Sequence, residues 1–306
     1  MRLSLSQGKL EKWEEAFIPE KDLFFLREQD EDIIMEFGVN CLNFTYEEFL
    51  KHPDYINNSY NSSYTYWTLS KDIKKVIVTP PNVFLTLKDS VKQRVLKIQQ
   101  QVGRGLIFEA RHFEGILREP ATSMLAPYQF ISGNYVYYAL QKEVWSQLPK
   151  SLKSDILVRI ALKYDLPGEK DTTKPTLPII NSYVNTYPNS HGPNCFSSTL
   201  YCATSQHAGM KLDWLIQEWV HPQTFLNGLK QLGYIEIPLA KDALFPHDIL
   251  LWRDKEERLM HASYHIDQHY FFNKNGQTFF NPWKIIHVRE LDEEWGHYEV
   301  HVYRKV

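Results

Sequence analysis

The chain has 306 residues, of which 43% are hydrophobic and 23% charged, and a formal net charge of −3. That length fits one large or two medium domains with a substantial core. The charge offers no basic face for nucleic acid and no attraction to an anionic membrane, so neither is expected as a partner. Aromatic residues reach 14%, which suits wide packed surfaces or an aromatic-lined cleft. Three cysteines, Cys41, Cys195 and Cys202, do not make a disulfide framework. The opening Met1-Arg2-Leu3-Ser4-Leu5 lacks the apolar core of an export signal and no run is long enough to span a membrane, so a cytoplasmic location is expected.

The first 165 residues carry no motif with attached chemistry. Short helices are expected over 11–16 and 47–51, a polar loop over 57–63, and short strands over 76–78 and 83–85. A long helix is expected over 87–101, with Val91, Val95 and Ile98 on its buried face and an end at Gly103 to Gly105. Further helices are expected over 135–147 and 152–164, separated by Pro149-Lys150-Ser151. The expectation is a mixed, helix-rich domain over 1–165 with no role assigned to it. Turn formers and charges from Leu166 to Pro175 mark a linker over 166–180, and a second domain follows over 181–306.

In the second domain, Gly192-Pro193 breaks the preceding structure, Asn194 is a good N-cap, and Phe196, Leu200 and Ala203 recur at helical spacing. Cys195 then falls in a helix's first turn. Unpaired N–H groups and the helix dipole there favour the nucleophilic thiolate. The plainer alternative is a small buried hydrophobe. Cys202 lies seven residues on, about 10.5 Å along a helix, too far for a disulfide, and reads as core. Helices over 213–219 and 221–231 are expected next, then strands over 234–237 and 245–252. From 259 to 267 the residues alternate: Met260, Ala262, Tyr264 and Ile266 on one face, His261, Ser263, His265 and Asp267 on the other. A last strand is expected over 298–303. Helices followed by antiparallel strands make an α+β pattern.

Three blocks carry a family resemblance. Asn194-Cys195-Phe196-Ser197, then His247-Asp248-Ile249-Leu250-Leu251-Trp252, then His261-Ala262-Ser263-Tyr264-His265-Ile266 resemble the signature blocks of the NlpC/P60 branch of the papain-like cysteine peptidases, over about residues 185–306. Asn194 stands where that family has aspartate, His247 where it has glycine, and Phe196 and Ser198 interrupt its small residues. The resemblance implies a nucleophile helix packed on an antiparallel sheet. It also implies that Cys195 attacks an amide, that His261 is its base, and that a polar residue on the next strand orients the histidine. The expected activity is a cysteine amidase or peptidase acting on a peptide or other amide, a cell-wall-type peptide among the candidates. A thiol acyltransferase and a non-catalytic binding or scaffold protein on the same fold stand as alternatives.

Hairpin geometry supplies the orienting residue. A three-residue turn at Ile266-Asp267-Gln268 sets Asn273 opposite His261, a turn shifted by one residue sets Asn275 there, and a two-residue turn points Asn273 away. Asn273 is preferred and Asn275 is the runner-up. His261, His265 and His269 have helical metal-site spacing, but on a strand four residues span about 13 Å, too far to share an ion. No metal and no cofactor is expected. His191 can reach the thiol from the entering loop, with solvation as its plainer fate. Asn189 lies six positions before Cys195, where the papain family proper has its oxyanion-hole glutamine. The Cys195 N–H is the preferred donor for a developing oxyanion. Trp252 and Trp283 are cleft walls or core. The oligomeric state does not follow from the sequence.

Overall fold

Short apolar strands organise the first part of the chain. The computed structural model describes residues 5–53, 68–164, 175, 177–204, 212–238 and 244–306. The chain divides into two units, Met1–Ile160 and Ala161–Val306, each with its own core.

In the first unit, strands β1 (Asp22–Arg27), β2 (Leu42–Thr45) and β3 (Ile73–Thr79) form an antiparallel sheet with β3 central. Strands β4 (Ile107–Glu109), β5 (Gln129–Ser132) and β6 (Tyr135–Ala139) form a second one with β6 central. Helix α1 (Gln7–Ala16) is capped by Ser6 and buries Trp13. Helix α2 (Asp89–Gln101) buries Val95, Leu96, Ile98 and Gln99. Gln99 bonds to both the N–H and the C=O of Phe25, at 2.8 and 2.9 Å, so a side chain satisfies backbone groups on an edge strand. Helix α3 (Lys150–Tyr164) closes the described stretch.

Two expectations change here. Residues 83–85 form a helical turn, Val83–Thr86. The helix expected over 135–147 is strand β6 followed by a short helix, Lys142–Gln147. Tyr135-Val136-Tyr137-Tyr138 favours a pleated surface, and Gly133, at φ 58°, turns the chain so that β6 pairs with β5. The unit therefore combines helices with two sheets. The loop expected over 57–63 lies outside the described residues, as do residues 165–174 and 176 of the linker region. Ile180, at the linker's far end, is fully buried in the second unit.

The second unit is built on six antiparallel strands in the order β11-β10-β9-β8-β12-β7. They are β7 (Tyr234–Ile237), β8 (Ile249–Arg253), β9 (Leu259–Asp267), β10 (Tyr270–Lys274), β11 (Trp283–His287) and β12 (Glu299–Lys305). Alternation gives the sheet two apolar faces. Ile249, Leu251, Ala262, Tyr264 and Phe272 pack with helices α4 (Cys195–Thr204) and α5 (Pro222–Gln231). Leu250, Trp252, Phe271, Ile286 and Val302 pack with Leu291 of helix α6 (Val288–Trp295). The helix expected over 213–219 shrinks to one tight turn, Leu215–Gln217. The protein is thus a mixture of helices and small antiparallel sheets, compatible with the α+β class. No helix among the described residues is long and apolar enough to cross a membrane.

Candidate active site

Cys195 is the first residue of α4, and local hydrogen bonds put it there. The Ser197 N–H donates to Asn194 Oδ1 at 2.9 Å, and the Asn194 N–H donates to Ser197 Oγ at 3.1 Å. This reciprocal cap satisfies N–H groups that the helix start leaves open. Asn194 Nδ2 donates to Val220 O at 2.8 Å, fixing the cap from outside. Every residue of α4 is buried. Trp283 is core, with Nε1 donating to Ser198 Oγ at 2.9 Å.

The β9–β10 hairpin sets the other half. Asp267 pairs with Tyr270 around a two-residue turn in which Gln268 adopts φ 51°. A bulge between Tyr270 and Phe271 then shifts the pairing, which continues as Phe271↔His265 and Phe272↔Tyr264 and stops. The turn is therefore shorter than the expected three residues, and the bulge returns Asn273 to the His261 face. Carried further, this register would set Asn275 across from His261. Because the ladder ends first, Asn273 Oδ1 comes within 2.7 Å of His261 Nε2. Asn275 is the next link, accepting from Asn273 Nδ2 at 2.8 Å and donating to Glu294 Oε2 at 2.6 Å.

That chain fixes the tautomer. With Asn273 Oδ1 accepting, His261 Nε2 carries the proton and Nδ1 is the basic nitrogen. The ring lies flat on Trp295, with centroids 4.1 Å apart, and Trp252 approaches at 5.4 Å. Burial lowers His261 to about 3, against a partial rise from the Asn273 bond.

Cys195 meets β9 one residue along. Burial pushes its thiol up to about 11, against the pull of the Ala262 N–H, the Lys274 ammonium and the N–H groups of Phe196 and Cys195 itself. The thiolate expected from the helix start is therefore not the resting form. Desolvation outweighs the dipole and the donors together. Ala262 shares the core with Cys195, so the His261 ring leaves β9 on the opposite side. The described residues hold no hydrogen bond between the thiol and that ring.

The remaining candidates are placed as follows. His191 is buried at 8% exposure, contrary to a solvated loop histidine, and Asn189 is half-buried. His247 has φ 79° and its Nδ1 lies 2.9 Å from the Tyr264 hydroxyl. Asp248 accepts from Arg304 Nε and Nη2 at 2.8 and 2.6 Å. His265 points its nitrogens at Phe245 O and Gln268 O, 2.7 and 3.0 Å away. Among the described residues no group of three or more His, Cys, Asp or Glu side chains could hold a metal ion. Cys202 is buried in the core.

Sequence reasoning missed Lys274, Glu294 and Trp295. Lys274 hides in Asn273-Lys274-Asn275-Gly276, which reads as a turn, although strand parity sets it on the face opposite Asn273. Glu294 and Trp295 end a short acidic helix whose only local signal is its start, where the Arg289 N–H donates to His287 Nδ1 and the His287 N–H to Glu290 Oε1. No protein-family model, curated protein or solved structure matches the chain.

Proposed function

We propose that the second unit is a cysteine-nucleophile amidase or peptidase using Cys195, His261 and Asn273. The observation that carries this reading is the 2.7 Å bond from His261 Nε2 to Asn273 Oδ1 beneath Trp295, on the strand whose Ala262 N–H binds the Cys195 sulfur. Such a histidine is oriented, shielded, and basic at the other nitrogen. The NlpC/P60 likeness adds a point. His247, which stands at that family's glycine, adopts a left-handed φ of 79°, the conformation glycine enters most easily.

The reaction runs in two halves. The Cys195 thiol gives up its proton as sulfur bonds to the amide carbon, His261 Nδ1 taking it once the ring and the thiol, which leave β9 on opposite sides, are brought together, and the Cys195 N–H at the start of α4 donates to the oxyanion. The C–N bond breaks with the proton moving from Nδ1 to the departing amine, leaving a thioester. Water then gives a proton to Nδ1 and adds to the thioester, and the carboxylic acid leaves as Sγ regains that proton. With the thiol near 11 and the imidazole near 3, both rest neutral, so proton transfer accompanies attack. An amine or thiol replacing water turns the same chemistry into acyl transfer.

Thiol burial favours one second reading, a binding protein on the same scaffold. A panel of fluorogenic peptidyl amides separates the two. Turnover lost in Cys195→Ala and reduced by roughly 10²–10⁴-fold in His261→Ala supports the enzyme. A folded wild type that turns over no amide or thioester, with Cys195 unlabelled even at pH 10, sinks it.

A further inference from the structure

Two loops meet beside Cys195. One enters α4 and carries His191; the other leaves β10 through residues 275–281. The Gly192 N–H donates to Gln277 O at 2.9 Å, and the His191 ring stacks on Phe279 with centroids 4.0 Å apart. Lys274, at the root of the second loop, is fully buried. Its Nζ donates to Gly276 O at 3.1 Å and to Thr278 O at 3.3 Å. The charged head thus ends one residue from the ring that His191 stacks on.

His191 is 8% exposed, yet neither Nδ1 nor Nε2 has a hydrogen-bond partner. Buried imidazole nitrogens are normally bonded, so both positions invite a polar ligand. The Lys274 charge is close enough to act on both His191 and the Cys195 thiol, lowering each. A buried cation, an imidazole with open nitrogens and the start of α4 therefore converge at the nucleophile. An anion brought there would accept from the histidine, be held by the ammonium at low dielectric, and sit near the positive end of the helix dipole.

We propose that Lys274 and His191 form an anion subsite beside the thiol, and that the acyl donor taken by Cys195 carries a carboxylate next to the carbonyl under attack. The substrate class rests on the nucleophile reading above; the subsite does not.

Iodoacetate and iodoacetamide test it, because both alkylate the same thiolate and differ in charge. In each, an S–C bond forms, the C–I bond breaks, iodide leaves and the thiol proton passes to solvent. The ratio of their rates cancels the thiolate fraction, and Cys41 serves as internal reference. The expected iodoacetate to iodoacetamide ratio at Cys195 exceeds that at Cys41 by roughly tenfold or more, falls to the Cys41 value in Lys274→Met, and drops partway in His191→Gln. Succinate titrated into Cys195→Ser protein should shift the His191 ring resonances saturably, an effect lost when Lys274→Met is added. If Lys274→Met unfolds, the wild-type ratio and the succinate titration still decide. Equal ratios at both cysteines with no succinate shift overturn the subsite, while iodoacetamide labelling of Cys195 leaves the nucleophile in place. A succinate shift with Cys195 inert to both reagents keeps the subsite and removes the acyl donor.

Discussion

The His261 imidazole and the Trp295 indole lie with their planes 2° apart. The indole covers one face of the imidazole beside its bond to Asn273. Trp295→Ala should therefore admit solvent and raise His261 from about 3 toward its ordinary value near 6.5. In the proposed reaction the imidazole works in its neutral form, so the acid limb of the pH–rate profile moves upward with the pKa. Turnover at pH 7 falls on the order of tenfold, a fraction of what a positioned base supplies. A variant whose acid limb stays at the wild-type position removes this account of Trp295.

The buried thiol makes a second expectation. Iodoacetamide labelling of Cys195, followed by mass spectrometry, should be slow at pH 7 and climb with pH toward a midpoint near 11. Cys202, with no helix-start N–H groups and its thiol raised by burial, stays inert throughout. Rapid labelling of Cys195 at pH 6 to 7 that collapses in His261→Ala would instead reveal a resident thiolate–imidazolium pair.

Asp22 of the first unit and the buried histidines of the second answer pH with opposite signs. Asp22, buried at 2% exposure, is raised from 3.8 to about 7 by desolvation, against the pull of Arg104. A raised acid holds its proton in the folded form, so its contribution is complete below pH 4 and lost as pH climbs through 7. His191 and His261 are lowered to about 3. A lowered base must be charged on unfolding, so their contribution is complete above pH 6.5 and lost as pH falls toward 3. Each group is worth on the order of 4 kcal/mol across its window. As pH falls from 6.5 to 4, opening free energies from native-state hydrogen exchange should rise for the amides packed around Asp22 and fall for those packed around His191 and His261. Asp22→Asn should abolish the first trend alone.

Asn194 offers a stability test. Asn194→Ala removes the cap acceptor for Ser197 N–H and orphans Val220 O. The cost expected is about 2 kcal/mol, from the cap and the unmet carbonyl together. Asn194→Asp keeps the acceptor and should recover most of it. Denaturant midpoints of the three proteins check both statements.

What is legible in the sequence is what neighbours in the chain decide. Gly192-Pro193-Asn194 announces a helix start because a break and a cap are short-range chemistry. The alternation from 259 to 267 announces a strand with two faces for the same reason. In the first unit the alternating aromatics of Tyr135-Val136-Tyr137-Tyr138 compete with a helical reading, and the β5 and β4 partners settle it through pairing that no local window contains. Asn273 meets His261 through a two-residue turn, a bulge and an interrupted ladder, none of which a hairpin count provides. Burial is the least legible quantity. It reverses the thiolate expected of Cys195 and removes His191 from solvent, and both effects come from packing against segments far away in the chain.

Glu294 and Trp295 are adjacent at the end of α6, a helix of eight residues, and they reach the same imidazole by different routes. Trp295 covers its face; Glu294 ends the chain of amides behind it. Helix ends fray more readily than strands of a sheet centre open. One opening of the last turn of α6 would therefore wet the ring and release its amide chain together. The hold on the His261 ring is then coupled to the unzipping of α6, so whatever clamps or loosens that short helix acts on the imidazole without touching it.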